Sequence, residues 1–271
     1  MCEFCIQHGE GKKWYENMNN YSREVFFQVN SEKKFKKYLR GFKKRLSFFP
    51  YTAYWFKKRI PSFYDYYVYP AVTSNLKKNH FGQIIPLEDT ETILNRVNSI
   101  VRLPCICRKV TTGKELRYCL GVGMDMTEYV KDIPDFSSFD VISKEEAKKF
   151  VRSLEEKGMV HSIWTFGTPF IGAICNCDMN CMAYNVQVKM DIARAMWKGE
   201  YVACIDSMIC NGCKLCFKYC LFSAMEFDLS NRKCKINTYN CYGCGICRTL
   251  CEKGAITLKD RLEVLGSDPV W

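Results

Sequence analysis

The sequence predicts an α+β fold, in which a mostly helical, cysteine-rich N-terminal region is followed by a small C-terminal domain of two repeats. Two observations support this fold class. Apolar residues recur with helical periodicity in several segments of the first 200 residues. Near the C-terminus, two short predicted strands each precede a run of equally spaced cysteines. We therefore expect an N-terminal region over residues 1–200, a C-terminal domain over 201–262 and a tail over 263–271.

Four segments of the N-terminal region are predicted to be helical. The first begins at Ser31 and has one apolar face. The second begins near Asp89, and Pro104 ends it. A capping box that starts at Ser143 opens the third helix. Residues 190–197 also read as a helix, which leads into the C-terminal domain.

A basic and aromatic segment lies within the first of these helices and beyond it. Residues 33–59 carry 11 Lys and Arg and no acidic residue, which equals the net charge of +11. One interpretation is a solvated basic helix that packs its aromatic stripe on the body. The other is docking to a redox protein with an acidic surface, or to an anionic membrane surface. Nucleic-acid binding is disfavoured, because no recognised motif accompanies the charge.

Further along, a group of tyrosines follows the basic segment. They are Tyr64, Tyr66, Tyr67 and Tyr69, and they stop at Pro70. We predict that they pack inside the structure.

Six cysteines of the N-terminal region occur in three tight groups: Cys105, Cys107, Cys119, Cys175, Cys177 and Cys181. They are predicted to lie in loops. Cysteines one residue apart can bind one metal or divide between two sites, so the spacing leaves their connectivity open. The alternative is a set of buried small apolar residues. Their clustering favours an additional iron–sulfur cluster, with Arg108, Asn176 and Asn180 able to offset the thiolate charge.

The remaining candidate ligands of this region are Cys2 and Cys5, a Cys-x-x-Cys pair at the N-terminus. They could raise the number of additional clusters to two, or be free thiols on a mobile terminus. His8 lies within reach of them but is not expected to be a ligand. His161 is predicted to be a hydrogen-bonded histidine at a helix end, and not a ligand.

Two cysteine runs of identical spacing form the C-terminal repeat. Each cysteine of the second run follows its counterpart by 31 residues. A glycine-containing loop can wrap three thiolates around one iron–sulfur cube, while the fourth cysteine points to the other cube. One [4Fe–4S] cluster is therefore assigned to Cys210, Cys213, Cys216 and Cys251, and the other to Cys241, Cys244, Cys247 and Cys220. Structural zinc also uses paired Cys-x-x-Cys, but has no use for a third step repeated twice.

This stretch resembles the bacterial-type two-cluster ferredoxin domain. The predicted strands at residues 201–206 and 233–237 lead into the two cluster loops, as in that family, and Cys204 and Cys234 in them are expected to be core residues. The family usually has proline after the fourth cysteine, where this chain has Leu221 and Glu252. Over most of its length, the chain is similar to cysteine-rich 4Fe–4S ferredoxin-type proteins of anaerobes. The resemblance implies electron transfer and names no substrate.

The cysteine usage also bears on the compartment. Cluster-binding runs, together with the absence of a charged-then-apolar signal segment, indicate a reducing cytoplasm and not a disulfide framework. The longest nearly apolar stretch, residues 163–174, is too short to cross a bilayer.

The expected function is electron transfer by a multi-cluster iron–sulfur protein, acting as a carrier or as the electron-input subunit of an anaerobic redox complex. No catalytic residue is assigned, and no nucleotide-binding loop is evident. One alternative is a reductase whose N-terminal cluster binds substrate and is fed by the C-terminal clusters. Another is a redox-sensing protein that binds nucleic acid or serves as a scaffold.

Overall fold

A seven-stranded sheet is the centre of the N-terminal region in the structure, a computed structural model that describes residues 13–265. Helices make up 47% and strands 19% of this part of the chain, so the predicted mixture of helix and strand is confirmed. The prediction of a mostly helical N-terminal region did not include this sheet. Its strands are β1 (Gly82–Ile84), β2 (Ser99–Leu103), β3 (Cys119–Gly123), β4 (Asp140–Val141), β5 (Val160–Thr165), β6 (Ile171–Cys177) and β7 (Met196–Trp197).

Helices surround this sheet. The longer ones are α1 (Arg23–Val29), α2 (Glu32–Arg40), α3 (Phe42–Arg59), α4 (Tyr69–Asn79), α5 (Leu87–Arg96), α6 (Ile106–Thr112) and α8 (Lys144–Glu155). Two short ones are α7 (Thr127–Val130) and α9 (Met182–Tyr184), and two further helical segments, Pro61–Phe63 and Tyr64–Val68, connect α3 to α4. Within residues 13–265, no helix combines the length and the apolar content needed to cross a membrane.

The strand order is β4-β2-β3-β6-β5-β1-β7, and the pairs are antiparallel except for β1 with β7. One face of the sheet packs Leu120, Ile163 and Ile174 in one core with Ile93 of α5 and Val151 of α8. The opposite face is covered partly by N-terminal helices and partly by the C-terminal domain. This opposite face carries the N-terminal cysteines.

Three of the four predicted helices differ from the structure. The helix expected from Asp89 to Pro104 ends at Arg96, because the following residues form strand β2 and pair with β3. The helix expected over residues 190–197 is absent from the described chain: Asp191 has φ 49°, and Met196–Trp197 pairs with β1. The helix that starts at Ser143 is confirmed, with both hydrogen bonds of its capping box present. The predicted helix from Ser31 is interrupted at Gly41.

The C-terminal domain contains two antiparallel strand pairs. Strand β8 (Tyr201–Ile205) pairs with β11 (Ile256–Asp260), and β9 (Met225–Asp228) pairs with β10 (Lys233–Ile236). Both strands predicted before the cysteine runs are therefore present. The domain also contains helices α10 (Leu215–Tyr219), α11 (Ile246–Thr249) and α12 (Arg261–Leu265).

A shared apolar core joins this domain to the sheet. Ile246 of α11 is fully buried in one cluster with Ile84 of β1 and Trp164 of β5. The buried guanidinium of Arg261 donates hydrogen bonds to the carbonyl oxygens of Gly199, between β7 and β8, and of Cys241 in the second cysteine run. The second cysteine run is thus held against the N-terminal region.

Candidate metal centres

The first predicted cluster site corresponds to a cavity at the outer end of the C-terminal domain. Cys210, Cys213, Cys216 and Cys251 all line this cavity, whose volume is about 60 Å³. Cys251 belongs to the second run, so the fold brings the fourth cysteine of one repeat to the first three of the other. Cys213 is exposed to solvent, whereas Cys210 and Cys216 are buried.

The second predicted site lies on the inner side of the domain. The charge of Cys220, from the first run, acts on both Cys244 and Cys247 of the second run. Burial, followed by the neighbouring Cys241 and Cys220, raises the pKa of Cys247. The fourth cysteine is again next to the opposite run. Cys244 packs at the edge of the core that the domain shares with the N-terminal sheet.

Backbone amides point at the sulfurs of the second site. The N–H groups of Ala203 and Gly243 lie 3.4 Å from Sγ of Cys241, and the N–H of Ala224 lies 3.3 Å from Sγ of Cys220. Gly243 adopts φ +72°, which the loop requires, and Gly212 at the equivalent position of the first run has the same φ. Hydrogen bonds of this kind help to set cluster potentials.

Cys234 lies closer to the first site than its expected role as a core residue suggests. It is buried on strand β10 and lines the same cavity as Cys210 and Cys216. Burial, followed by the neighbouring Cys234, raises the pKa of Cys216 to about 12. Cys204 on β8 is only half-buried.

The N-terminal cysteines surround a third cavity, of about 90 Å³. All six of the predicted residues line it: Cys105, Cys107, Cys119, Cys175, Cys177 and Cys181. The prediction that these cysteines lie in loops is wrong for most of them. Cys119 is on β3, Cys175 and Cys177 are on β6, and Cys107 is on α6, because the apolar residues between them pair as strands or turn into helix.

Within this cavity, the cysteines form two groups of three. Sγ of Cys119 lies 3.3 Å from Sγ of Cys105 and 3.7 Å from Sγ of Cys175. In the other group, Cys181 hydrogen-bonds with Cys177. Burial, followed by the charge of Cys181, raises the pKa of Cys107 to about 12. Each Cys-x-Cys pair is thus divided, with one sulfur in each group.

The Arg108 side chain is buried beside both groups. Its Nη1 lies 3.5 Å from Sγ of Cys105, and its Nη2 donates to the carbonyl oxygen of Asn176 at 2.9 Å and to Asp178 at 3.2 Å. Burial opposes its charge, but the nearby Cys181, Cys177 and Cys105 outweigh that effect and raise the pKa of Arg108. Nε of Arg108 is buried without a hydrogen-bond partner in the described chain. A buried cation with spare donor capacity fits a site that holds negative charge.

His161 belongs to a buried hydrogen-bonded chain, so its predicted position at a helix end is wrong. It lies on β5, with Nδ1 2.6 Å from Asn176 Oδ1 and Nε2 3.2 Å from Glu155 Oε2. The hydroxyl of Thr249, on α11, donates to Glu155. These hydrogen bonds therefore run from Asn176, between Cys175 and Cys177, to helix α11, which carries Cys247. No local sequence signal indicated them, because Thr249 and Glu155 are 94 residues apart.

Cys2, Cys5 and His8 lie outside the described residues. From Lys13 to Leu265, no three His, Cys, Asp or Glu side chains are arranged to hold a single metal ion. In an iron–sulfur cube each cysteine binds a different iron, so the four sulfurs surround a volume and do not meet at one point.

A comparison of the sequence with protein-family models and with curated protein sequences gave no match. A function can therefore be inferred only from the residues and from their arrangement.

Proposed function

We propose that the protein transfers electrons through iron–sulfur clusters, as a carrier or as the electron-input subunit of a redox complex. Residues 201–262 would form a domain of the two-cluster ferredoxin type, with a [4Fe–4S] cluster on each set of four cysteines. The six N-terminal cysteines would hold at least one further cluster. Such clusters supply one-electron oxidation and reduction.

One observation carries the proposal, namely the exchange of the fourth cysteine between the two runs. Cys251 shares a cavity with Cys210, Cys213 and Cys216, and Cys220 is an electrostatic neighbour of Cys244 and Cys247. Crossed ligation of this kind is the arrangement that the duplicated spacing requires. A structural zinc site would complete its ligands locally and would gain nothing from the crossing.

One of the two departures from the ferredoxin pattern has a physical explanation within this proposal. Leu221 stands where the family usually has proline, and it packs in the core shared with the N-terminal sheet. A free ferredoxin has no second domain to contact at this position. The leucine would therefore serve docking between the domains.

The positions of the three sites support an order of transfer. The first site is at the surface, where Cys213 is exposed and the exposed Lys214 and Lys218 surround it with positive charge. The second site lies between the first and the N-terminal sheet, and Cys244 and Cys175 are both at the edge of one apolar core. Electrons would enter at the first site from an acidic partner protein and pass through the second to the N-terminal cysteines.

The test is to measure iron, sulfide and zinc per chain in anaerobically purified protein, with EPR spectra after reduction. Two variants test the C-terminal and the N-terminal sites separately. One replaces Cys210, Cys213, Cys216, Cys241, Cys244 and Cys247 by Ser, and the other replaces the six N-terminal cysteines by Ser. The second variant should retain about eight irons, the content of two cubes. The first should retain iron and a cluster signal from the N-terminal site.

The proposed C-terminal clusters and the proposed N-terminal cluster are tested independently. Zinc without sulfide in the wild type would contradict the whole proposal. If the first variant folds but contains no iron, the proposed N-terminal cluster is contradicted, while the proposed C-terminal clusters are not.

A second candidate function, a reductase, is favoured by the two groups of three cysteines. A cube needs four ligands, and within the described chain each group supplies three thiolates. If neither Cys2 nor Cys5 completes a group, a cube on that group has one iron open to a small molecule. The cavity around it is largely apolar, with Leu39, Phe42 and Trp164 among its lining residues.

A variant with Cys2→Ser and Cys5→Ser distinguishes the two functions. If the N-terminal cluster keeps its iron and its EPR signal changes when cyanide is added, an iron is open and the reductase is supported. If the variant loses that iron, the N-terminal pair completes the site and electron transfer alone remains.

A further inference from the structure

The segment that follows α2 exposes an unusual amount of apolar surface. Seventeen large apolar side chains are exposed in residues 13–265, and eight of them lie between residues 48 and 67. These eight are Phe48, Phe49, Tyr51, Trp55, Ile60, Phe63, Tyr66 and Tyr67. The prediction that Tyr66 and Tyr67 pack inside the structure is therefore wrong, although Tyr64 is buried. A contiguous exposed apolar patch of this kind marks a surface that binds something.

On α3, six of the exposed residues form one stripe, which we call the basic-aromatic face. At 100° per residue, its members fall on one side of the helix: Lys44, Phe48, Tyr51, Trp55, Lys58 and Arg59. Phe48 is 68% and Trp55 is 60% exposed. The buried residues of the helix, Pro50 and Ala53, point the other way. Three aromatic rings thus occupy the middle of the face, with cations at both ends.

One cation of this face lies over an aromatic ring of the same face. Cζ of Arg59 lies 5.2 Å from the centre of the Trp55 ring. By contrast, Lys43 and Lys57, on the flanks of the helix, pair with Asp135, Asp65 and Asp191 of the body. Some of the basic segment is therefore structural, while Lys44, Lys58 and Arg59 extend the exposed face.

The polar groups of the helix identify the kind of partner. Ser47 and Thr52 are exposed, but their hydroxyls donate to carbonyl oxygens of the same helix, those of Lys43 and Phe49, both at 3.0 Å. The face therefore offers ring surface and positive charge, and few directional hydrogen bonds. Protein–protein interfaces use about one hydrogen bond per 100–200 Å². A lipid headgroup region needs only apolar depth and opposite charge, and Trp, Tyr, Lys and Arg are the residues that anchor proteins there.

We propose that α3 docks the protein onto an anionic lipid bilayer, with the helix lying in the plane of the surface. Phe48, Tyr51 and Trp55 enter the boundary between headgroups and acyl chains, and Lys44, Lys58 and Arg59 contact lipid phosphates. The inner side of α3 packs on α6, which carries Cys107. Docking therefore holds the six-cysteine cavity close to the bilayer. This inference does not depend on the metal content of the protein.

The test uses the full chain and sedimentation with vesicles of phosphatidylcholine alone or mixed with phosphatidylglycerol. One variant replaces Lys44, Lys58 and Arg59 by Ser, and a second replaces Phe48, Tyr51 and Trp55 by Ser. A matched control replaces three exposed apolar residues elsewhere by Ser: Val141, Leu229 and Tyr239. Iron content and circular dichroism check that each variant folds.

The wild type and the control should bind the mixed vesicles, bind pure phosphatidylcholine weakly, and be released by salt. The basic variant should bind about 100-fold more weakly, since each cation near an anionic surface contributes about 1 kcal/mol. The aromatic variant should also lose binding. Failure of the wild type to bind the mixed vesicles, or equal binding by a folded face variant, would overturn the proposal. An acidic protein would then be the partner of this face.

Discussion

The two cysteine regions of this protein are built in different ways. The eight C-terminal cysteines come from two contiguous runs whose loops need only local turns and glycines, between residues 210 and 251. The six N-terminal cysteines come from separate helices and strands, and they meet because β3 pairs with β6. Local backbone geometry therefore places three cysteines of each C-terminal site, and the opposite run supplies the fourth. The N-terminal site depends throughout on long-range pairing, and it lies beside a buried cation.

The largest expected effect comes from a glycine in a C-terminal loop. Gly243 has φ +72°, and an added Cβ would lie 2.2 Å from the carbonyl oxygen of Tyr201. Gly243→Ala should therefore displace the loop and remove about four irons, one cube, while the N-terminal site keeps its own. Iron content and EPR measure this.

Gly113→Ala is the control for that prediction. Gly113 also has φ +72°, but nothing lies within 4 Å of its added Cβ. Loss of iron from both variants would show that strain at a positive φ, and not the clash with Tyr201, causes the effect. Unchanged iron in Gly243→Ala would show that the second C-terminal site does not require this loop conformation.

The second prediction concerns the N-terminal site. Arg108→Met leaves Asp178 without its ion-pair partner and removes the cation beside both cysteine groups. We expect the stability to fall by about 3 kcal/mol, the lower end of the range for a broken buried pair because Asp178 is partly exposed. The potential of the proposed N-terminal cluster should become more negative, and the iron content that we propose for the C-terminal domain should not change.

Arg108→Lys separates charge from geometry. It should restore part of the potential, but not the contacts with Cys105 on one side and with Asn176 and Asp178 on the other, because arginine makes these through two nitrogens of its planar fork and lysine has only one. A potential that stays at the wild-type value in Arg108→Met would show that the guanidinium does not act on the site.

The third prediction uses histidine, which the sequence places only at positions 8, 80 and 161, all in the N-terminal region. His80 lies among rings, with centroids 5.0 Å from Trp164 and 4.8 Å from Phe166, and desolvation lowers its pKa to about 4. The unfolded chain therefore binds a proton more readily than the folded one. The neutral imidazole contributes stability above about pH 6.5, and this contribution is lost as the pH falls towards 4.

For His80, the loss should be at most about 3 kcal/mol, from 1.36 kcal/mol per pKa unit. Denaturant titrations of the wild type and of His80→Gln between pH 4 and about 7 measure it. The variant should have a shallower pH dependence of the free energy of unfolding. Parallel curves would mean that His80 titrates equally in both states.

The smallest expected effect lies outside both cysteine regions. Ser143→Ala removes the cap of α8 and should cost about 1 kcal/mol of stability. Neither cysteine region should lose iron. Loss of iron from the N-terminal site alone would show that this site depends on α8. That helix ends at Glu155, which contacts His161.

Some features of this protein follow from the sequence by itself. Four features could be predicted because each depends on residues close together in the chain. They are the duplicated cysteine spacing, the strands that precede each run, the capping box of α8 and the basic segment. The helix expected up to Pro104 was wrong because an apolar run such as Ser99–Leu103 fits either a helix or a strand. Pairing with β3 decides in favour of the strand.

The tertiary structure alone decided the arrangement around the N-terminal cysteines. The strand order puts β3 beside β6, and this pairing brings Cys119 to Cys175 although 56 residues separate them. Each Cys-x-Cys pair is divided between two groups, and the pairing of β5 with β6 joins His161 to Asn176. Spacing could not determine these contacts, because the free energy that selects a strand partner comes from burying a whole sheet face, which no single motif contains.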